Sequence, residues 1–138
     1  MAQLKSARRL VLDSGGVSVI AEGKGDARAA MNRARTEGWL VVIPAPVLAE
    51  VHTGRREHAM IDRVVNAVDM LLPTTPEIAK LAGELRAKSG VLDVVDAIVV
   101  AEAVASPPSI ILTTDPGDIA RLIEAAGLTG DEVVVIAV

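Results

Sequence analysis

Five short runs of branched aliphatic residues recur along the 138-residue chain and constrain its fold more than any other feature. They are RLVLD at 9–13, WLVVIP at 39–44, MLLP at 70–73, SIILTT at 109–114 and EVVVIAV at 132–138. These runs are nearly continuous in Val, Ile and Leu, the pattern of strands covered on both faces. The segments between them have helical spacing, and strands alternating with helices build a parallel sheet. The predicted fold is therefore α/β, a three-layer α/β/α sandwich around a roughly five-stranded parallel sheet. A chain of this length can close one core but would make two small ones, so residues 1–138 are expected to form a single domain.

The intervening segments carry their own start and stop signals. Ser14-Gly15-Gly16 frees the chain to turn after the first run, and Gly23 and Gly25 follow, so the first helix is expected to begin late or to be loose, with a stop at Gly38. APVLAEVHTG at 45–54 begins helically and closes at Gly54, and Met60, Ile61, Val64, Val65 and Val68 form the next helical stripe. Thr75 before Pro76 caps a helix that ends near Gly90. LDVVDAIVVAEAVA at 92–105 is apolar nearly all round, and its length and the Asp93 cap favour a buried helix over a strand. A helix from about Pro116 to Ala126 and a Gly127–Gly130 turn lead into the last run.

Composition narrows the chemistry. The chain has no cysteine, which excludes disulfides, thiol catalysis and cysteine-held zinc or iron–sulfur centres. Its two histidines, His52 and His58, have no partner pattern for general base work and are expected at the surface or at helix edges. A metal would be held mainly by oxygen, which favours Mg²⁺ or Mn²⁺ over zinc. Phe and Tyr are absent and Trp39 is the single Trp, so there is no base-stacking platform; Trp39 is expected to pack. The net charge of −4 weakens a simple nucleic-acid-binding reading but leaves room for an acidic site that works through cations. The apolar run after Arg8 and Arg9 is cut by Asp13, too short for a signal or a membrane span, and a cytoplasmic protein with no membrane association is expected.

In open parallel sheets, ligands bind beyond the carboxyl ends of the strands where the strand order reverses. Asp13 and Asp115 each follow an apolar strand and precede a turn, so if those strands are neighbours their carboxylates converge at such an edge. Capping explains either residue equally simply. Glu50, near the start of a helix after the second run, reads by itself as a surface glutamate. Asp96 is more telling, because it puts a carboxylate in the first turn of an otherwise apolar helix, although a cap plus a first-turn acid also satisfies the helix dipole. Glu102 lies six positions on, about 240° round the axis, and is a poor partner for the same ion. Gly15 and Gly16 do not make a dinucleotide fingerprint.

Four pieces in order, LVLDSG, IPAPVLAEV, LDVVDAIVVAEA and ILTTDPGDI, resemble the PIN domain, and among PIN domains the VapC-type ribonuclease toxins. The resemblance runs almost the full length. It implies that Asp13, Glu50, Asp96 and Asp115 form an acidic quartet around Mg²⁺ or Mn²⁺. Asp118 would be an accessory acid at the metal, and Thr113 and Ser14 would orient neighbouring carboxylates. The implied activity is endoribonucleolytic cleavage of RNA by activated water, leaving a 5′-phosphate and a 3′-hydroxyl. The implied partners are an RNA substrate, a cognate VapB-like antitoxin and a second copy of the chain in a homodimer.

Arg28, Arg33, Arg35, Arg55 and Arg56 are candidate phosphate contacts, although charged helix faces are usually only solvated. Met31, Met60 and Met70 read as core or dimer-face residues. Two phosphoryl-transfer readings fail on particular positions. A haloacid-dehalogenase-like enzyme needs a second acid where Gly15 stands, and a receiver domain needs a lysine after the last strand. The stronger rival is a noncatalytic PIN-like protein-binding module that uses its acids only as caps.

Overall fold

The computed structural model describes residues 8–127 and 132–138. The expected turn after Gly127 lies outside them. The five apolar runs are β1 (Arg9–Leu12), β2 (Leu40–Pro44), β3 (Met70–Leu72), β4 (Ser109–Thr113) and β5 (Val133–Ala137). All pair in parallel in the order β3-β2-β1-β4-β5. The chain builds outward from β1 through β2 to β3, then returns to the other side of β1 to lay down β4 and β5. Strand order therefore reverses between β1 and β4, whose register pairs Leu12 with Leu112.

Among the described residues seven helices cover this sheet: α1 (Ser14–Ala21), α2 (Gly25–Thr36), α3 (Ala45–Val51), α4 (Ala59–Ala67), α5 (Pro76–Ser89), α6 (Val94–Ala105) and α7 (Pro116–Ala125). A 3₁₀ turn at Arg56–His58 precedes α4. Helices α1, α2 and α4 pack on one another, as do α5, α6 and α7, giving the α/β/α sandwich. The middle strands are buried on both faces, with Leu10, Val11, Leu12, Val41, Val42 and Ile43 almost wholly removed from water. That accounts for their unbroken aliphatic sequence. Residues Ala97–Ala103 of α6 are buried without interruption, so this helix is sheathed by its neighbours on every side. Among the described residues no helix is long and apolar enough to cross a membrane.

The start of the first helix departs from expectation. Instead of a late or loose helix, α1 begins at Ser14, and Gly15 and Gly16 lie within it. A Cβ on Gly16 would stand 2.5 Å from the Leu112 carbonyl oxygen. The glycine lets α1 abut the end of β4, so packing, not turning, calls for it here. The turn falls later, at Gly23, whose φ of +82° separates α1 from α2. Trp39 stands just outside β2 and packs against the core, with the Arg8 guanidinium 5.5 Å over its ring.

Candidate metal centre

The acids come together at the strand-order reversal. Asp13 follows β1 directly and is the N-cap of α1, its Oδ1 accepting the Gly16 N–H at 2.7 Å. Its backbone N–H donates across the sheet to the Leu112 carbonyl at 3.4 Å, which holds the ends of β1 and β4 together. The side chain is buried, and burial raises its carboxyl above the ordinary value. Hydrogen bonds from the Thr113 hydroxyl and the Gly16 amide oppose that rise, while Asp115 and Glu50 reinforce it by repulsion.

Thr113 ends β4 and is fully buried beneath this group. Its hydroxyl contacts Asp13 and also accepts the Asp115 N–H at 2.9 Å, so one side chain links two of the acids. Asp115 sits at the N-cap position of α7 but makes no side-chain capping bond, and Pro116 behind it has no N–H to offer. Its carboxylate is exposed and uncommitted.

Asp96 comes from α6, in the same helix layer as α7 and opposite the layer that Asp13 caps. Its amide is capped by Asp93 Oδ1 at 2.9 Å, which leaves the Asp96 carboxylate itself directed to the acids. Burial, then repulsion from Asp93, Asp13, Asp115 and Glu50, pushes this carboxyl up to about 7. One oxygen each from Asp96, Asp115 and Asp118 lies within 4.8 Å of the others. Three converging carboxylates at that spacing repel unless a proton or a cation intervenes, and oxygen ligands of this kind suit a hard divalent ion. The donor set thus fits a metal.

Glu50 reaches the group from α3, where the Ser14 hydroxyl donates to its Oε1. It is exposed, and a hollow of about 470 Å³ bordered by Ser18, Glu50, Thr53, His58 and Ile61 opens beside it.

All seven residues that the resemblance implied are therefore at one end of the sheet. The closest trio contains Asp118, expected only as an accessory, while Asp13 and Glu50 stand behind and beside it. Glu102 does face elsewhere. It is 6 % exposed, and burial raises its carboxyl against the lowering influence of Arg9 at the start of β1. His52 and His58 are exposed, paired with Asp62 at 2.9 Å and Thr53 at 2.7 Å respectively. The arginines named from the sequence are scattered. The Arg28 Nε–H donates to the Ile20 carbonyl at 3.4 Å, the Arg35 guanidinium donates to the Ala67 carbonyl, and Arg33 lines a cleft with Leu10 and Trp39. The cation that does meet the cluster, Arg121, was missed. The Asp118-to-Arg121 spacing of three along α7 was the available signal.

No protein-family model matches the chain, and no curated protein matches it. Solved structures do. VapBC2 from Rickettsia felis bound to a DNA fragment from its promoter contains a chain similar at TM-score 0.69 and 11 % identity, covering 93 % of this chain and 98 % of that one. A toxin–antitoxin complex from Klebsiella pneumoniae matches at TM-score 0.65 and 20 % identity, covering 93 % and 96 %. FitAB bound to an IR36 DNA fragment matches at 0.66 and 16 %, covering 93 % and 94 %. The chain shares the fold of one chain in each of these three complexes.

Proposed function

We propose that the chain is a metal-dependent endoribonuclease, the toxin of a toxin–antitoxin pair, acting in the cytoplasm on RNA. The observation that carries this reading is the convergence of Asp96, Asp115 and Asp118 within 4.8 Å at the point where strand order reverses. The fold shared with chains of VapBC2, FitAB and the Klebsiella complex supports the pairing with a VapB-like antitoxin.

In this reading Asp96, Asp115 and Asp118 hold Mg²⁺ or Mn²⁺, with Asp13 and Glu50 completing the acidic set directly or through water. A bound divalent ion would lower the pKa of a coordinated water and neutralise charge developing on the phosphate. The protein's own part is positional. Thr113 ties Asp13 to the Asp115 backbone, Ser14 holds Glu50, and Asp93 fixes the first turn that carries Asp96. Such supports decide whether carboxylates meet an ion at a usable spacing. A homodimer is part of the proposal, with Met60, Met70 and Leu71 offering exposed apolar surface for it.

The rival reading, a noncatalytic binding module, draws support from Asp13 and Asp93, both of which cap helices. Capping leaves Asp115 unexplained, since its side chain caps nothing, and leaves Asp96 with an uncompensated carboxylate at the core edge. Cleavage of RNA with Mg²⁺ or Mn²⁺, lost on chelation and in Asp96→Asn, is the expected result. Cutting that survives chelation, or that is equal in wild type and variant, refutes the proposed site.

A further inference from the structure

Among the described residues, one ion pair reaches the acid group. Arg121, one turn after Asp118 on α7, places Nη1 3.4 Å from Asp118 Oδ1, and its Nη2 donates to the Ser89 carbonyl at 3.1 Å. The guanidinium is thus slung between α7 and the last residue of α5. Together with Lys88 and Glu124 it walls a cavity of about 310 Å³ that lies outside the acid cluster. Lys88 is exposed and makes no ion pair among the described residues.

We propose that this cavity binds a phosphodiester of the RNA strand, next to the one that is cut. The inference rests on the nuclease reading for its ligand and adds to it a site for the neighbouring backbone. A chain of net charge −4 with five acids at its centre repels a polyanion, so affinity has to come from cations close to that centre. Two basic side chains against one acid give the cavity a net positive charge. A guanidinium presents a fork of donors that matches phosphate oxygens in pairs, and Arg121 uses only two of its five N–H groups on Asp118 and Ser89.

The hold on Arg121 is also releasable. Its contact with Asp118 is long, and the two side chains are 56 % and 40 % exposed, the condition under which an ion pair contributes little. When Arg121 turns to a phosphate, Asp118 is freed toward Asp96 and Asp115, to which it is already close. Substrate binding in the cavity and completion of the acid trio are then linked through one carboxylate.

The test is binding of a short single-stranded RNA oligonucleotide in chelator, followed by fluorescence anisotropy between about 50 and 200 mM salt. Arg121→Gln and Lys88→Gln are each expected to flatten the plot of log affinity against log salt by about 0.7, the value for one phosphate lost from a single strand. Arg121→Lys should keep the slope, as should Lys80→Gln, elsewhere on α5. An unchanged slope in both glutamine variants overturns the proposal, and so does wild-type protein that binds no RNA at the lowest salt. Inorganic phosphate that shifts the Arg121 Nε–H resonance as fully as the RNA does would make this a free-anion site and overturn the RNA assignment. Metal-dependent cleavage with unchanged slopes would sink the phosphate site alone, whereas flattened slopes in a protein that cuts nothing would sink the nuclease reading alone.

Discussion

Replacing Asp96 by asparagine should make the metal-free protein more stable while removing its response to metal. The Asp96 carboxyl is pushed from 3.8 up to about 7, chiefly by burial and then by Asp93, Asp13, Asp115 and Glu50. Its folded-state pKa is therefore above its unfolded one, so its contribution is fully favourable below pH 3.8 and is lost as pH rises through 7. A rise of that size corresponds to about 4 kcal/mol between the two protonation states. Partial exposure to water screens it, leaving about 2 kcal/mol as the working figure. Asparagine keeps the shape and never ionises. With unfolding entropy near 2.1 cal/mol/K per residue, the variant should melt about 7 °C above wild type at pH 8. That advantage should shrink as pH falls toward 5. Mn²⁺ or Mg²⁺ should raise the wild-type melting temperature at pH 8, by the linkage of ligand binding to the folded state, and leave the variant nearly unmoved. Thermal unfolding at pH 5 and pH 8, with and without metal, measures all four conditions. A variant that melts below wild type at both pH values, or that gains as much from Mn²⁺ as wild type does, refutes the account of Asp96 as a carboxylate strained for a cation.

Further outcomes follow from neighbouring contacts. Gly16→Ala forces a methyl to 2.5 Å from the Leu112 carbonyl and should cost about 1–3 kcal/mol in denaturant unfolding; an unchanged midpoint would mean that α1 can shift freely. Thr113→Val removes the hydroxyl that contacts Asp13 and accepts the Asp115 amide, and should cost about 1–3 kcal/mol and reduce metal-dependent cleavage; full activity would show that the link is dispensable. Glu102→Gln should leave cleavage alone, because Glu102 faces Arg9 at the opposite end of β1. Its raised carboxyl gives wild type a stability that is present below the unfolded pKa and lost as pH rises through the folded one, so the glutamine variant should gain relative to wild type with rising pH. A pH-independent difference between the two proteins would contradict that.

Much of the architecture could be read from hydrophobic pattern alone. The aliphatic runs are the strands, Thr75 and Asp93 cap the helices they were expected to cap, and α6 is buried as its composition required. The start of α1 was misjudged because a glycine pair reads locally as a turn. The Leu112 carbonyl that makes Gly16 necessary is nearly a hundred residues away in sequence. The acids and their convergence were legible through the family resemblance, but the place of Asp118 in the closest trio was not. Asp118 lies three positions after Asp115, on the same side of α7, but only the packing of α7 against α6 brings both within reach of Asp96. Ser14 meeting Glu50 depends likewise on how α1 and α3 sit together, which no local spacing encodes.

The hydrogen bond from the Asp13 amide to the Leu112 carbonyl has a bearing on the chain's own synthesis. Asp13 is made early and Asp118 late, with β4 inserted beside β1 only after β2 and β3 have been laid on its other side. A chain still on the ribosome therefore carries an open β1 edge, and an acid group without its Asp115 and Asp118 members, until β4 and the first turn of α7 have been made. Translation proceeds at about 5–20 residues per second, which gives several seconds during which the polypeptide exists without the centre. If the chain is the toxin proposed, the order of its strands provides an interval in which an antitoxin can engage a growing chain that cannot yet cut.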